Sequence, residues 1–109
     1  MFRDDKLYLE DIELSIKKVF KYVRGMNFAD FEEDGKTIDA VIRNLEIIGE
    51  AAKNISDGFR EKHSHVPWSQ IIGMRNKVVH EYFGVDLEIL WKTIKEDLPW
   101  LKDALKNIH

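Results

Sequence analysis

Along almost the whole chain apolar side chains return every third or fourth residue, and no window alternates with the period of two that a half-buried strand needs. That feature predicts an all-α protein. From Asp4 or Asp5 to Arg24 the repeat is carried by Leu9, Ile12, Ile16, Val19, Phe20 and Val23, one stripe for one buried face. Asp4 and Asp5 suit the positive N-terminal end of this helix, Lys21 and Arg24 suit its negative end, and Gly25 can stop it. Residues 28 to 33 read as one short turn of helix capped by Asn27, with a break at Asp34-Gly35. The stretch from Thr37 to Ile55 is different. Ile38, Val41, Ile42, Leu45, Ile47, Ile48, Ala52 and Ile55 cover well more than half the circumference, which predicts a helix buried on two sides. Such a helix is a bundle's central element or a dimer's interface element. Its narrow polar face holds Asp39, Arg43, Glu46, Glu50 and Lys53.

Ser56-Asp57-Gly58 ends that helix, and the segment to Val66, with His63 and His65, reads as a loop. Pro67 fits the first turn of a third long helix running to about His80 or Phe83 and closed by Gly84. After a cap at Asp86, the set Leu87, Leu90, Trp91, Ile94, Leu98, Leu101, Leu105 and Ile108 keeps helical phase straight through Pro99. Two collinear or kinked segments sharing one stripe are expected there. The sum is an antiparallel bundle of four main helices. The 109 residues are enough for one core and too few for two, so residues 1–109 are read as a single domain.

The absence of cysteine excludes disulfides, thiolate catalysis and cysteine-ligated metal sites, and fits a reducing cytoplasm. The first residues, Met1-Phe2-Arg3-Asp4-Asp5, lack a basic region leading into an apolar run, and no stretch approaches the roughly 20 apolar residues that span a bilayer. A cytoplasmic protein without a membrane partner is expected.

The segment richest in chemistry runs from Met74 to Asp86. On an ideal helical wheel, at about 100° per residue, Arg75 projects from the middle of an apolar arc made by Met74, Val78, Val79, Tyr82 and Phe83. A buried guanidinium costs several kcal/mol unless it is paired or faces a wet pocket. Two readings follow: a buried salt bridge to Glu46 or Glu50 of the central helix, or a functional cleft. His80 falls roughly 140° from Arg75 on the same wheel, so the two converge only if the helix loosens near its end. On physics alone, a helix-end histidine is more often a cap or a surface residue.

The run Arg75-Asn76-Lys77-Val78-Val79-His80-Glu81-Tyr82 resembles the Arg-x4-His-x-Tyr form of the motif of HEPN-domain ribonucleases. Lys36 to Ala51, Pro67-Trp68 and Asp97-Leu98-Pro99 also resemble the HepT-like toxins, so the similarity covers nearly the whole chain. The resemblance implies a helical bundle that forms a homodimer with two motifs facing one another across a cleft. It implies metal-independent endoribonuclease activity on RNA, tRNA or mRNA, with no cofactor. It further implies the toxin half of a type VII-like toxin–antitoxin system, whose nucleotidyltransferase antitoxin transfers AMP to the motif tyrosine. Carried over by position, Arg75 and His80 are the active pair, Tyr82 is the residue modified, and Asn76 occupies the polar position after the arginine; Asn76 and Glu46 are read as supporting residues.

The remaining candidates are weaker. His63-x-His65 has metal-ligand spacing but no clustered third ligand. Glu46 and Glu50 are read less as paired acids than as part of an ion network with Arg43 and Lys53. Asn44, within the apolar arc, needs a buried hydrogen-bond partner. Trp68, Trp91 and Trp100 are read as core or interface residues, one of which, at a cleft edge, would be able to stack a base. A net charge of −3 runs against a polyanion as substrate. The nuclease reading therefore requires a locally basic cleft, with acidic residues beyond the screening length of about 8–10 Å. Two readings of other classes stand beside it: a non-catalytic helical partner or regulatory subunit of a nucleotidyltransferase, and a nucleotide-binding regulator.

Overall fold

A computed structural model describes residues 4–80 and 84–108, and of His80 the backbone alone. Three long helical runs carry the architecture. The first, α1 (Asp5–Tyr22), is capped by Asp4, whose carboxylate accepts from the Lys6 N–H at 2.9 Å. It ends three residues before Gly25, which takes φ +79° in the turn that follows. The short α2 (Phe28–Glu32) starts in a capping box formed by Asn27 and Asp30, each side chain accepting from the other's backbone N–H.

The central helix, α3 (Gly35–Asn54), begins two residues earlier than the apolar pattern predicts. Asp34, read from sequence as part of a break, is its N-cap and accepts from the Thr37 N–H at 3.0 Å. The helix packs on α1, on α2 and on the two short helices between residues 68 and 78, so its apolar excess is used on more than one side. Val41, Leu45, Ile48 and Ala52 have no solvent-accessible surface and meet Leu9, Ile12 and Val19 of α1 in one core.

The loop expected between residues 56 and 66 contains a helix, α4 (Asp57–Lys62). Ser56, taken as a terminator, is also its N-cap, accepting from the Phe59 N–H at 3.3 Å. Asp5 binds the same serine through both its N–H and its hydroxyl, at 2.8 and 2.6 Å, which ties the start of α1 to the end of α3.

The third long helix expected from Pro67 to His80 or Phe83 is not formed. In its place stand α5 (Trp68–Ile72) and α6 (Met74–Val78), separated by Gly73. Pro67 lies outside the helix, as the N-cap of α5. The chain then becomes extended: β1 (Val79–His80) pairs antiparallel with β2 (Gly84–Val85), Val79 opposite Val85 and His80 opposite Gly84, and Asp86 N–H donates to the Val78 carbonyl at 2.7 Å. Glycine weakens a helix at residue 73, consecutive β-branched valines favour extension after residue 78, and Gly84, at φ +80°, permits the turn back.

The last run is continuous from Leu87 to Leu105, comprising α7 (Leu87–Lys92), a π-helical stretch (Thr93–Asp97) and α8 (Leu98–Leu105). Two collinear or kinked segments are expected here, and the helical run passes through Pro99 without a break. Pro99 has no N–H to return to the preceding turn, and the wider π turn just upstream takes up the mismatch while Leu90, Ile94, Leu98, Leu101 and Leu105 stay buried on one face. The all-α class holds, the only strands among the described residues being this two-residue pair. Among the described residues no helix is long and apolar enough to cross a membrane.

Candidate functional site

The end of α6 decides where Arg75 lies. The wheel that buried it assumed one helix through Val79, Tyr82 and Phe83; with the helix ending at Val78, the buried positions of α6 are Met74 and Val78, and Arg75 lies at the rim. Its side chain is 40% exposed. Its Nε is withdrawn from solvent, 3.3 Å from Oε1 of Glu46, an ion-pair contact without a directed hydrogen bond among the described residues. Of the two acids predicted as partners, Glu46 is the one that pairs. Nη1 donates to Oδ1 of Asn76 at 3.4 Å.

Glu46 is held from its other side as well, its Oε2 lying 3.5 Å from Nη1 of Arg43 one turn earlier on α3. Arg75, Asn76 and Glu46 thus come together, with Arg43, Glu50 and Lys53, along an open groove of about 470 Å³ between α3 and the α5–α6 joint. Planar guanidinium forks with part of their surface in solvent suit phosphate oxygens.

His80 is the first predicted site residue past the helix. Its backbone is in β1, so the wheel angle separating it from Arg75 no longer applies; its side chain and the whole of Tyr82 lie outside the described residues.

Two residues of this site carried no functional role in the sequence reading. Arg43 was taken only as a partner in a helix-face network, and its i, i+3 spacing to Glu46 was the available signal. Gly49 faces α5, where an added Cβ would stand 3.0 Å from the Ile72 carbonyl oxygen. A lone glycine inside a long apolar helix is the mark of such a close approach.

The other candidates have structural contacts. His65 Nε2–H donates to the Ala104 carbonyl at 3.1 Å, and His63 packs on Phe59 with ring centres 4.6 Å apart. Among the described residues no group of three His, Cys, Asp or Glu side chains gathers to hold a metal ion. Asn44 donates to the Ala40 carbonyl at 2.8 Å, while its buried Oδ1 has no hydrogen-bond partner among the described residues. Trp68 is buried and donates to the His63 carbonyl, and Trp91 stacks on Phe28 and meets Phe31 at a tilt of 37°. Trp100 stays 54% exposed and is no core residue of this chain.

Fold and groove describe an all-α protein with a tethered arginine at a surface cleft. Comparison with known proteins is more specific. The family described as "Ribonuclease HepT-like" matches residues 12–108. A protein of Thermococcus cleftensis named "Probable ribonuclease HepT" is 49% identical over all of this chain and 99% of its own length. One of Caldanaerobacter subterraneus subsp. tengcongensis named as a "Putative RNase" is 48% identical over 93% of this chain and 90% of its own. A Methanocaldococcus jannaschii protein named "Gamma-glutamylcyclotransferase and putative RNase" is 43% identical over 99% of this chain but only 49% of its own length. No solved structure matches the chain. The chain belongs to the HepT-like ribonuclease family.

Proposed function

We propose that this protein is a metal-independent endoribonuclease that uses Arg75 and His80 and serves as the toxin of a toxin–antitoxin pair. The observation that carries the reading is Arg75 itself, anchored at Nε by Glu46 yet open to the groove along its outer edge. In the proposed reaction the 2′-OH of one nucleotide attacks its own 3′-phosphate. The 2′ oxygen–phosphorus bond forms as the bond to the 5′ oxygen of the next nucleotide breaks. One group removes the 2′ proton and another protonates the leaving oxygen, leaving a 2′,3′-cyclic phosphate. Histidine, with an ordinary pKa of about 6.5, does either near neutrality. Each protomer brings one motif histidine, so a two-fold dimer supplies both, and Arg75 stabilises the added negative charge on phosphorus.

The family match supports ribonuclease activity, and the half-length match to the two-part Methanocaldococcus protein supports reading residues 1–109 as one transferable domain. The antitoxin in this reading is a nucleotidyltransferase that attaches AMP to Tyr82, two residues after His80 in sequence. Phosphate placed there competes with RNA for the cationic groups. The test is cleavage of end-labelled total RNA in EDTA by the wild type and by His80→Ala. Cutting by the wild type alone, with cyclic phosphate ends, is expected; wild-type-rate cutting by the variant would sink the mechanism.

The Arg75–Glu46 ion pair also favours a second reading, in which the chain is a non-catalytic partner of a nucleotidyltransferase and the pair is structural. Under that reading Arg75→Ala costs stability, and folded wild type cuts no RNA.

A further inference from the structure

The Arg75 groove carries Arg43, Lys53 and Arg75 against Glu46 and Glu50, a thin excess of positive charge for binding a polyanion. The strongest basic feature lies elsewhere. Between Glu13 and Asp30 the chain holds four basic residues, Lys17, Lys18, Lys21 and Arg24, and no acidic one, although the protein as a whole has a net charge of −3. Cations at a helix C-terminus answer its dipole, but that effect is confined to the last turn, and Lys17 lies a turn earlier. The fold turns Lys17 and Arg24 into a groove of about 600 Å³ and brings in a third cation, Lys102 of α8. Lys102 Nζ sits 5.8 Å from the centre of the Phe20 ring, against Glu13 as the one carboxylate of the lining.

We propose that this α1–α8 groove is a second RNA-binding site, gripping the phosphate backbone of single-stranded substrate away from the cleavage groove. The proposal rests on the ribonuclease reading and deepens it. The two grooves share no lining residue, so they occupy separate surfaces of the protomer. Lys17, Arg24 and Lys102 are exposed long side chains, able to follow a flexible polyanion. The polar groups of the lining are three long cations and one carboxylate, and a flexible single strand offers the cations a phosphate at every nucleotide. Recognition is therefore dominated by the backbone, with little dependence on sequence. A locally basic surface set apart from the acidic ones is what a protein of net charge −3 needs to bind RNA at all.

The test is fluorescence anisotropy with a single-stranded 2′-O-methyl oligonucleotide, which lacks the attacking hydroxyl and survives the measurement. Each neutralised contact lowers the salt slope of log K by about 0.7 on single strands. The triple variant Lys17→Gln, Arg24→Gln, Lys102→Gln is expected to bind about 10-fold or more weakly at physiological salt, with a slope lower by about 2. Lys36→Gln, Lys62→Gln, Lys92→Gln makes the same change in net charge and is expected to do much less. Equal weakening by the two triples reduces the effect to bulk charge and overturns the proposal. So does an unchanged affinity, or a change in sedimentation instead of RNA binding, which would make the groove a protein interface. Competition by AMP at concentrations like those of the oligonucleotide would make it a mononucleotide site and overturn it too. Folding of both triples is checked by circular dichroism. Dinucleotide cleavage by the wild type, too short to span both grooves, reports on the Arg75 groove alone; its absence counts against the ribonuclease reading and leaves the binding result standing on its own.

Discussion

Arg75 is held at Nε by Glu46 and at Nη1 by Asn76 yet lies on the edge of an open groove, and the two facts make opposite demands on a mutant. The tether to Glu46 is a half-exposed ion pair, 40% and 37% exposed on its two sides, and such pairs contribute less than about 1 kcal/mol. Arg75→Ala is therefore expected to keep its melting temperature nearly unchanged while cleavage falls roughly 10²–10³-fold, the usual cost of removing one donor to a developing anion. Arg75→Lys should restore little, because an ammonium cannot hold Glu46 and reach a phosphate with the same planar fork. Parallel thermal melts and single-turnover cleavage decide the matter, and a large loss of stability would favour the structural role of the pair. A different residue sets part of the acid limit of folding. The Asp34 carboxylate caps α3, and hydrogen bonds from Thr37, the backbone one first, hold its pKa below the ordinary carboxylate value. Because the folded pKa is the lower one, this contribution is full above the unfolded value of about 3.9 and is lost as pH falls through the folded value. Asp34→Asn keeps an acceptor oxygen but does not titrate. Its stability between about pH 5 and pH 2 is expected to fall less steeply than that of the wild type, as measured by urea melts across that range.

At the scale of elements, the joint between α5 and α6 is where fold and site meet. Gly49 lets α3 touch the end of α5, and a methyl group there would lie 3.0 Å from a backbone oxygen that has little freedom to retreat. Gly49→Ala should destabilise by about 1–3 kcal/mol, the common range for overpacking, despite alanine's better helix propensity. It should also reduce cleavage by shifting Gly73 and the arginine two residues on; unchanged stability in chemical denaturation would show that α5 can move aside. The same joint marks where sequence reading stopped. Long runs such as Leu9 to Val19 and Val41 to Ala52 were legible because apolar steps of three and four sustained over several turns have one geometric meaning. The segment after Pro67 carries apolar residues at helical spacing too, yet Gly73 and the Val78-Val79 pair divide it into pieces of five residues, and a wheel drawn through the break misjudged the exposure of Arg75. Ser56-Asp57-Gly58 was ambiguous for a related reason, since one serine is both a stop for α3 and a cap for α4. Glu46 was found because charge placed opposite a supposedly buried arginine has few alternatives. The α1–α8 groove was invisible, because no local pattern says that Lys102 returns beside Lys17 and Arg24.

For the whole molecule, the chemistry proposed needs two proton-transfer groups where each protomer offers one motif histidine, and this makes assembly part of the mechanism. If the active cleft is shared across a two-fold axis, it contains both copies of His80, one to take the 2′ proton and one to protonate the leaving oxygen, and removal of either copy disables it. His80→Ala is expected to be inactive as a homodimer. Mixed with wild type in equal amounts, unfolded and refolded together, half the dimers formed at random carry one histidine and a quarter carry two. Activity near a quarter of that of the unmixed wild type is then expected, falling as the square of the wild-type fraction. A site contained within one protomer gives a different result, because each wild-type subunit stays active whatever its partner and half of the activity remains. Sedimentation velocity on the unmixed proteins fixes the denominator: a monomer at the assay concentration would remove the basis for a shared cleft, and with it the reason for one histidine per chain to suffice.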